Sequence, residues 1–490
     1  MFAFFLTTGL FLGWSLGANN TSNVFGTAVG SGMIRFRTAA FYCSVFVILG
    51  AVISGAGATQ TLGKFGAINA IAGAFIVALG SGISVYLMTK AGLPVSTSQS
   101  IVGAIFAWNL FSGSLTDYES MIKIVSTWII CPVSSAAFAM ILYKMVVLFI
   151  RYSRIHMFKL DAYTRYGLVI VGIFGSYALG ANNIATVTGI FVSSSPFSDL
   201  NILGLVTLSG PQQLFFIGGL AIALGVFTYS KKVISTVGQG IMDLSPVVAF
   251  VAVLSHSIVL FLFASEGIER FLLSHGLPTI PLVPVSSSQA IVGAVVGIGL
   301  LKGGKGIRWR TVGEIVIGWV ATPIIAAMIC FISLFIFQNV FQQKTYQPFT
   351  YIFTSEVIER IHRARIPTKN IDELVGKKFD SAVKVGSALS KKNLLTRKER
   401  DFIIKSSEVG EITVNKESVA RIKTGWITDS QKKAFEKMDG RVYTHKWQLD
   451  EALAEASPEW RFKKDDKKYN EDIMNKLNYI YKLFRLEDGI

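Results

Sequence analysis

Two stretches of this chain carry residue types that could hold a small ion: Pro94-Val-Ser-Thr-Ser-Gln-Ser-Ile-Val-Gly-Ala104 and Pro284-Val-Ser-Ser-Ser-Gln-Ala-Ile-Val-Gly-Ala294, identical at nine of eleven positions. Each sets hydroxyls and one amide in front of an apolar run. That is the pattern of a helix start, because proline tolerates the first turn and Ser or Thr can cap its free N–H groups. The free N–H groups and aligned peptide dipoles favour an anion there without any charged side chain. Two such starts predict a two-sided anion cradle made of Ser96, Thr97, Ser98 and Gln99 with Ser286, Ser287, Ser288 and Gln289. A second repeated element, Leu16-Gly-Ala-Asn-Asn20 and Leu179-Gly-Ala-Asn-Asn183, closes an apolar run. Glycine followed by two residues that favour caps and turns predicts a helix interruption at both places. In a bilayer, freed backbone groups are tolerated only against protein or a wet cavity, so paired breaks point to a transport site.

These motifs need elements to position them, and the rest of the chain supplies a duplicated membrane scaffold. Trp128 with Pro132 answers Trp319 with Pro323, so three landmarks recur in order, at offsets of 163, 190 and 191 residues. The expected division is a first transmembrane repeat at 1–150, a basic linker at 151–165, a second repeat at 166–343 and a soluble C-terminal accessory domain at 344–490. Residues 265–282 account for most of the insertion in the second half. Of 47 Lys and Arg only 17 lie before residue 344, and of 31 Asp and Glu only 8, so the first part is poor in charge. Its apolar windows, among them 41–53, 68–88, 124–150, 166–179 and 312–337, suit a hydrocarbon layer about 30 Å thick. The fold expected is an all-α polytopic membrane protein, two inverted repeats with broken helices plus the soluble C-terminal domain. The run from Phe2 to Leu16 has no basic start and no small-residue cleavage site, so a removed signal peptide is not expected.

Short cytoplasmic loops collect Lys and Arg. Arg35 and Arg37, the stretch 151–165, Lys231 and Lys232, and 302–310 all fall on one side if each half crosses five times. An odd number inverts the halves and places both ends of the membrane part outside. The three cysteines lie singly in apolar runs, which argues against a disulfide framework or a metal cluster. The net charge of +16 does not indicate nucleic acid, since the basic tail is mixed with acids and lacks aromatic interleaving. No nucleophile with a base, phosphate loop or metal-ligand cluster marks an enzyme, and His362 and His445 stand alone.

The stretch Leu16 to Gly32, with the two Pro-Val-Ser motifs and Tyr229 to Gly238, resembles the inorganic phosphate transporter (PiT) family of sodium- or proton-coupled permeases. The likeness covers about residues 1–340. It implies a multi-pass cell-membrane symporter that holds phosphate, or in some relatives sulfate, between its two repeat motifs, and a homodimer, since members are often dimeric. This chain departs from the family pattern. Asn20 and Asn183 stand where aspartates are usual, and Gln99 and Gln289 where the family has histidine.

The missing carboxylates bear on substrate and coupling. An ionised carboxylate only accepts hydrogen bonds, so it suits a protonated phosphate and repels sulfate. Amides donate and accept, which narrows that discrimination and keeps a sulfate permease as the alternative. Intramembrane acids are natural proton carriers. Asp243 reads as a cap, Glu314 as a first-turn acid and His256 as a packed histidine, so proton coupling is the lesser alternative. Sodium needs only oxygen ligands, by analogy with other hard cations. The expectation is phosphate import coupled to Na+, with Asn20 and Asn183 beside the eight cradle residues on the anion and Asn19, Asn23 and Asn182 on the cation, and with no other cofactor.

Overall fold

The computed structural model describes residues 2–484 apart from 31, 67, 198–199, 203–205, 231–239, 348–349, 367–370, 391–394, 416–418, 420–421, 423–426 and 465. The stretch Tyr229 to Gly238 lies almost wholly outside the described residues. The chain forms two compact units, one of residues 1–112 and 116–347 and one of 113–115 and 348–490.

The first unit is helical: α1 Phe2–Gly30, α2 Phe36–Ser54, α3 Ala56–Phe65, α4 Ile71–Lys90, α5 Thr97–Ser112, α6 Tyr118–Ser153, α7 Met157–Thr188, α8 Gly210–Thr228, α9 Pro246–Leu262, α10 Glu266–Ser274, α11 Ser287–Leu301 and α12 Trp309–Asn339. A short antiparallel hairpin, β1 Leu200–Ile202 with β2 Val206–Leu208, precedes α8. Seven of these helices are long and apolar enough to cross a membrane, and α9 with α10 passes the same test as a pair bent by 67°. The stretch 151–165 is mostly helix, shared between the end of α6 and the first turns of α7.

The duplication governs the packing. A methyl group at Gly17 would sit 2.0 Å from the Ile222 carbonyl oxygen, and one at Gly180, 163 residues on, 2.0 Å from that of Val47. Gly103 faces the Pro323 carbonyl at 2.1 Å, and Gly293 faces that of Pro132 at 2.2 Å. Such approaches admit no Cβ, and each is made once in each half with the partners exchanged. Helices α1 and α8 run parallel, since Gly13 meets Gly218 and Gly17 meets Ile222. By contrast α1 and α7 run antiparallel, Gly13 against Val187 and Phe25 against Gly172. The first helices of the two halves thus point in opposite directions, the arrangement of an inverted repeat.

One expectation fails. Leu16 to Asn20 and Leu179 to Asn183 lie inside unbroken helices, α1 and α7. The glycine serves the close approach of a neighbouring helix, not a break, and nearby hydroxyls bond back to their own helix, Thr21 to the Gly17 carbonyl and Ser22 to that of Asn19. The interruptions occur at the Pro-Val-Ser elements. Residues 91–96 and 275–286 are non-helical, and each segment opens with a left-handed glycine, Gly92 at φ +79° and Gly276 at φ +67°. At a rise of about 1.5 Å per residue α5 and α11 are too short to span a bilayer alone.

The second unit is itself duplicated. Strand β3 Tyr351–Ile352 pairs with β4 Lys378–Phe379, and β5 Ile412–Thr413 with β6 Val442–Tyr443. Its helices are α13 Ser355–Arg363, α14 Ala382–Ser390, α15 Arg397–Ser407, α16 Asp429–Glu436, α17 Lys446–Ala456 and α18 Lys467–Phe484. In each copy a left-handed glycine, Gly376 or Gly440, donates its N–H to a residue just past the first strand, Phe353 or Val414, at 2.8 Å. Val385 and Leu389 on α14 match Leu449 and Leu453 on α17, all buried.

Candidate functional site

Serine caps set the position of both cradle helices. Ser96 Oγ accepts the Gln99 N–H at 3.2 Å, and Ser286 Oγ accepts that of Gln289 at the same distance. With the first-turn N–H groups half engaged, each terminus still presents donors to whatever lies in front of it. The two starts meet: Ser288 Oγ donates to the Val95 carbonyl at 2.8 Å, so the second motif is hydrogen-bonded to the first. All eight cradle residues are buried at 2% exposure or less, turned into protein and away from lipid.

The asparagines of α1 and α7 close in on this junction, each in a different way. Asn23 Nδ2 donates to Ser287 Oγ at 3.1 Å and to Ser288 Oγ at 3.2 Å. Asn182 grips the extended segment ahead of α11 with both ends of its amide, accepting the Val285 N–H at 2.9 Å and donating to the Val283 carbonyl at 3.3 Å. Asn19 donates to Thr89 Oγ1 at 2.8 Å, and Asn183 donates to the Leu179 carbonyl of its own helix at 3.2 Å. Asn23 thus joins the second cradle motif through side chains and Asn182 joins it through the Val285 backbone, while Asn19 and Asn183 bond to residues outside the two motifs. Within the first motif Ser96 and Ser98 share a hydrogen bond of 2.9 Å.

What is left unpaired shows what the site can do. Among the described residues the side-chain oxygens of Asn19, Asn20, Asn23, Asn183, Gln99 and Gln289 are buried without a hydrogen-bond partner, as is the Thr97 hydroxyl. Buried carbonyl-type oxygens normally find a donor. Six collected on the elements of one junction form an acceptor set for a hard cation, which prefers oxygen ligands. The hydroxyls and helix-start N–H groups are the complementary donor set for an oxyanion. The buried described residues of this unit include no aspartate or glutamate, and no group of three or more His, Cys, Asp or Glu able to hold a metal occurs among the described residues.

The residues expected to be bland are mostly so. Asp243 pairs with Arg308 at 3.1 Å while Ser245 caps α9, so the capping role predicted for Asp243 belongs to its neighbour. Glu314, expected in the first turn of its helix, lies in the second turn and pairs with Arg310 at 3.1 Å on the surface. His256 is the residue the sequence undervalued: its Nε2 lies 2.8 Å from Ser287 Oγ. Thr89 was passed over too. Neither sits in a repeated motif, and only the helix-by-helix correspondence of the halves, 175 residues between α4 and α9, would have drawn attention to position 256.

Comparison with known proteins covers mainly this unit and reaches into the second. The chain matches the phosphate transporter family over residues 16–163, 152–330 and 276–397. It is 30% identical to a provisionally named phosphate permease of Methanocaldococcus jannaschii over 330 residues, 67% of this chain and 95% of that one. It is 24% identical to the chloroplastic inorganic phosphate transporter 2-1 of Arabidopsis thaliana, over 68% of this chain and 72% of the plant protein. Among solved structures it superposes on a sodium-dependent phosphate transporter with a TM-score of 0.54 and 22% identity, covering 68% of this chain and 99% of the other.

Proposed function

This multi-pass membrane protein belongs to the phosphate transporter family, and from that premise we propose that it imports inorganic phosphate in symport with Na+ through the junction of its two Pro-Val-Ser helix starts. The observation that carries the reading is the 2.8 Å bond from Ser288 to the Val95 carbonyl, which brings two anion-favouring helix starts together beside unpaired amide oxygens. In this reading the first-turn N–H groups, the Thr97 and Ser287 hydroxyls and the Gln99 and Gln289 amides donate to the phosphate oxygens. Asn20 and Asn183 complete that shell with acceptors for a P–OH proton. Asn19 and Asn23 direct free oxygens to the cation. Asn182, with both amide atoms bound to backbone, positions the entry to α11 and leaves the cation to the others. The cation's charge offsets that of the anion, so neither is favoured alone in a site without carboxylates, and the two fluxes are coupled.

The inverted packing of α1 against α7 suits alternating access about such a junction. Residues 344–490 are proposed as an accessory domain without transport chemistry of its own. A second reading, sulfate as substrate, is favoured by the absence of any buried carboxylate among the described residues of the membrane unit. Radiolabelled phosphate and sulfate uptake into proteoliposomes, with and without a Na+ gradient, tests the assignment. Saturable, Na+-driven phosphate accumulation is expected. Preference for sulfate would transfer the site to the second reading, and flux that does not saturate would replace the symporter with a channel.

A further inference from the structure

We infer that His256 is a positioning residue of the anion site: it holds the Ser287 hydroxyl in the orientation that donates to the bound anion. The inference rests on the phosphate reading above and adds a residue on α9, outside both repeated motifs. His256 is fully buried, its Nε2 lies 2.8 Å from Ser287 Oγ, and its Nδ1 has no partner among the described residues. A neutral imidazole has one N–H and one lone pair. With the proton on Nδ1 the ring would bury an unpaired donor. With the proton on Nε2 the N–H is given to Ser287 and only a lone pair goes unmet, the milder of the two defects. A doubly protonated ring would bury a charge in a unit whose buried described residues include no carboxylate. The Nε2–H form is therefore the one that fits.

The consequence falls on Ser287. Its oxygen accepts from Asn23 Nδ2 at 3.1 Å as well as from His256, so both lone pairs are occupied and its one proton must go to a third group. Ser288 cannot itself donate to the anion, since its proton is committed to the Val95 carbonyl. Ser287 is thereby left with its hydroxyl proton free for the anion, as Thr97 is in the first motif. In the first half, Ser81 occupies the position corresponding to His256 and Thr97 that of Ser287. Neither hydroxyl has a partner among the described residues, so the lock exists in one half only.

The test is phosphate uptake by the full chain in proteoliposomes, reading KM for wild type, His256→Leu, His256→Gln and Ser287→Ala, and for Ser287→Ala combined with His256→Leu. Leucine removes the donor and should raise KM about tenfold, the loss expected of one hydrogen bond to a charged group. Glutamine restores an N–H at the same reach and should recover most of the loss. In the Ser287→Ala background His256→Leu should add nothing. Should His256→Leu fail to fold, as judged by size exclusion and thermal unfolding, His256→Gln against His256→Glu asks the same question, since an ionised Glu only accepts and would take the Ser287 proton for itself. Equal KM in wild type and His256→Leu, a Gln variant as impaired as Leu or Glu, or additive losses in the double variant would each overturn the inference while wild-type uptake stands. Absence of phosphate uptake by the wild type would overturn the reading above and this inference with it.

Discussion

The two halves of the membrane unit share a backbone plan and differ in how their polar side chains are wired. In the second half the extended segment is clamped by Asn182 through Val283 and Val285, and Ser287 is held by Asn23 and His256. In the first half the residue matching Asn182 is Asn19, which bonds to Thr89 and leaves its oxygen unpaired, and the residue matching Ser287 is Thr97, also unpaired. Symmetry thus resides in the helix contacts that admit no side chain, and asymmetry in the polar groups around the junction of the two Pro-Val-Ser segments. A transporter of this form can keep one side of its site organised and leave the other to be completed by what binds.

If the helix contacts are the symmetric part, breaking them should be equally severe in either half. Gly103→Ala and Gly293→Ala each push a Cβ to about 2 Å from a carbonyl oxygen, Pro323 or Pro132. Backbone cannot yield as a side chain can, so the cost should reach or exceed the roughly 1–3 kcal/mol of ordinary overpacking. Both variants should lose uptake together with monodisperse protein on size exclusion. A variant that folds and transports normally would show that the close approach is not required.

The asymmetric part predicts unequal losses. Asn182→Ala leaves the Val285 N–H and the Val283 carbonyl unpaired in a buried segment, at about 1–3 kcal/mol each. Asn19→Ala removes a single bond to Thr89, whose hydroxyl still donates to the Val85 carbonyl at 2.7 Å. Thermal unfolding in detergent should therefore fall much further for Asn182→Ala, with uptake following; equal shifts would abolish the distinction. Gln99→Ala and Gln289→Ala come next. Both remove an amide from the anion shell without disturbing a cap, so uptake should weaken by about tenfold or more while the unfolding temperature holds. Unchanged uptake in both would remove the glutamines from the site.

Much of this was legible in the sequence, and the pattern of misses has a physical basis. Repeated motifs and apolar windows reported the duplication and the membrane-spanning helices because each rests on properties that survive in any packed bilayer protein. The Gly-Ala-Asn-Asn element misled because helix propensity is a weak prior that packing overrides. Gly17 is required by the Ile222 carbonyl, and Asn19 and Asn20 remain helical in a buried setting. His256 was invisible as a site residue because it lies 31 residues from Ser287 and its counterpart in the other half is a serine. The tail duplication was missed because few identities survive, such as Glu356, Arg360 and Ile361 against Glu417, Arg421 and Ile422, and Gly376 against Gly440.

That tail carries the same contrast into a polar setting, with the smallest expected effect on transport. Position 450 on α17 holds a partly buried aspartate where the first copy has Gly386. Burial pushes the Asp450 carboxyl from the ordinary 3.8 up to about 6, against the opposing pull of the Tyr481 hydroxyl and the Arg360 and Lys446 cations. The folded state therefore keeps a proton that the unfolded chain releases near pH 4. Stability from that proton is fully present below pH 4 and is lost as pH rises through about 6. Amide exchange in α17 and α18 of the full-length protein, corrected for intrinsic rates, should quicken between about pH 4 and 6. In Asp450→Asn, whose amide carries no such equilibrium, the dependence should flatten while phosphate uptake holds. An unchanged pH slope in that variant would mean the second copy tolerates its partly buried acid as readily as the first does its glycine. The contrast between duplicated halves would then be confined to the membrane unit.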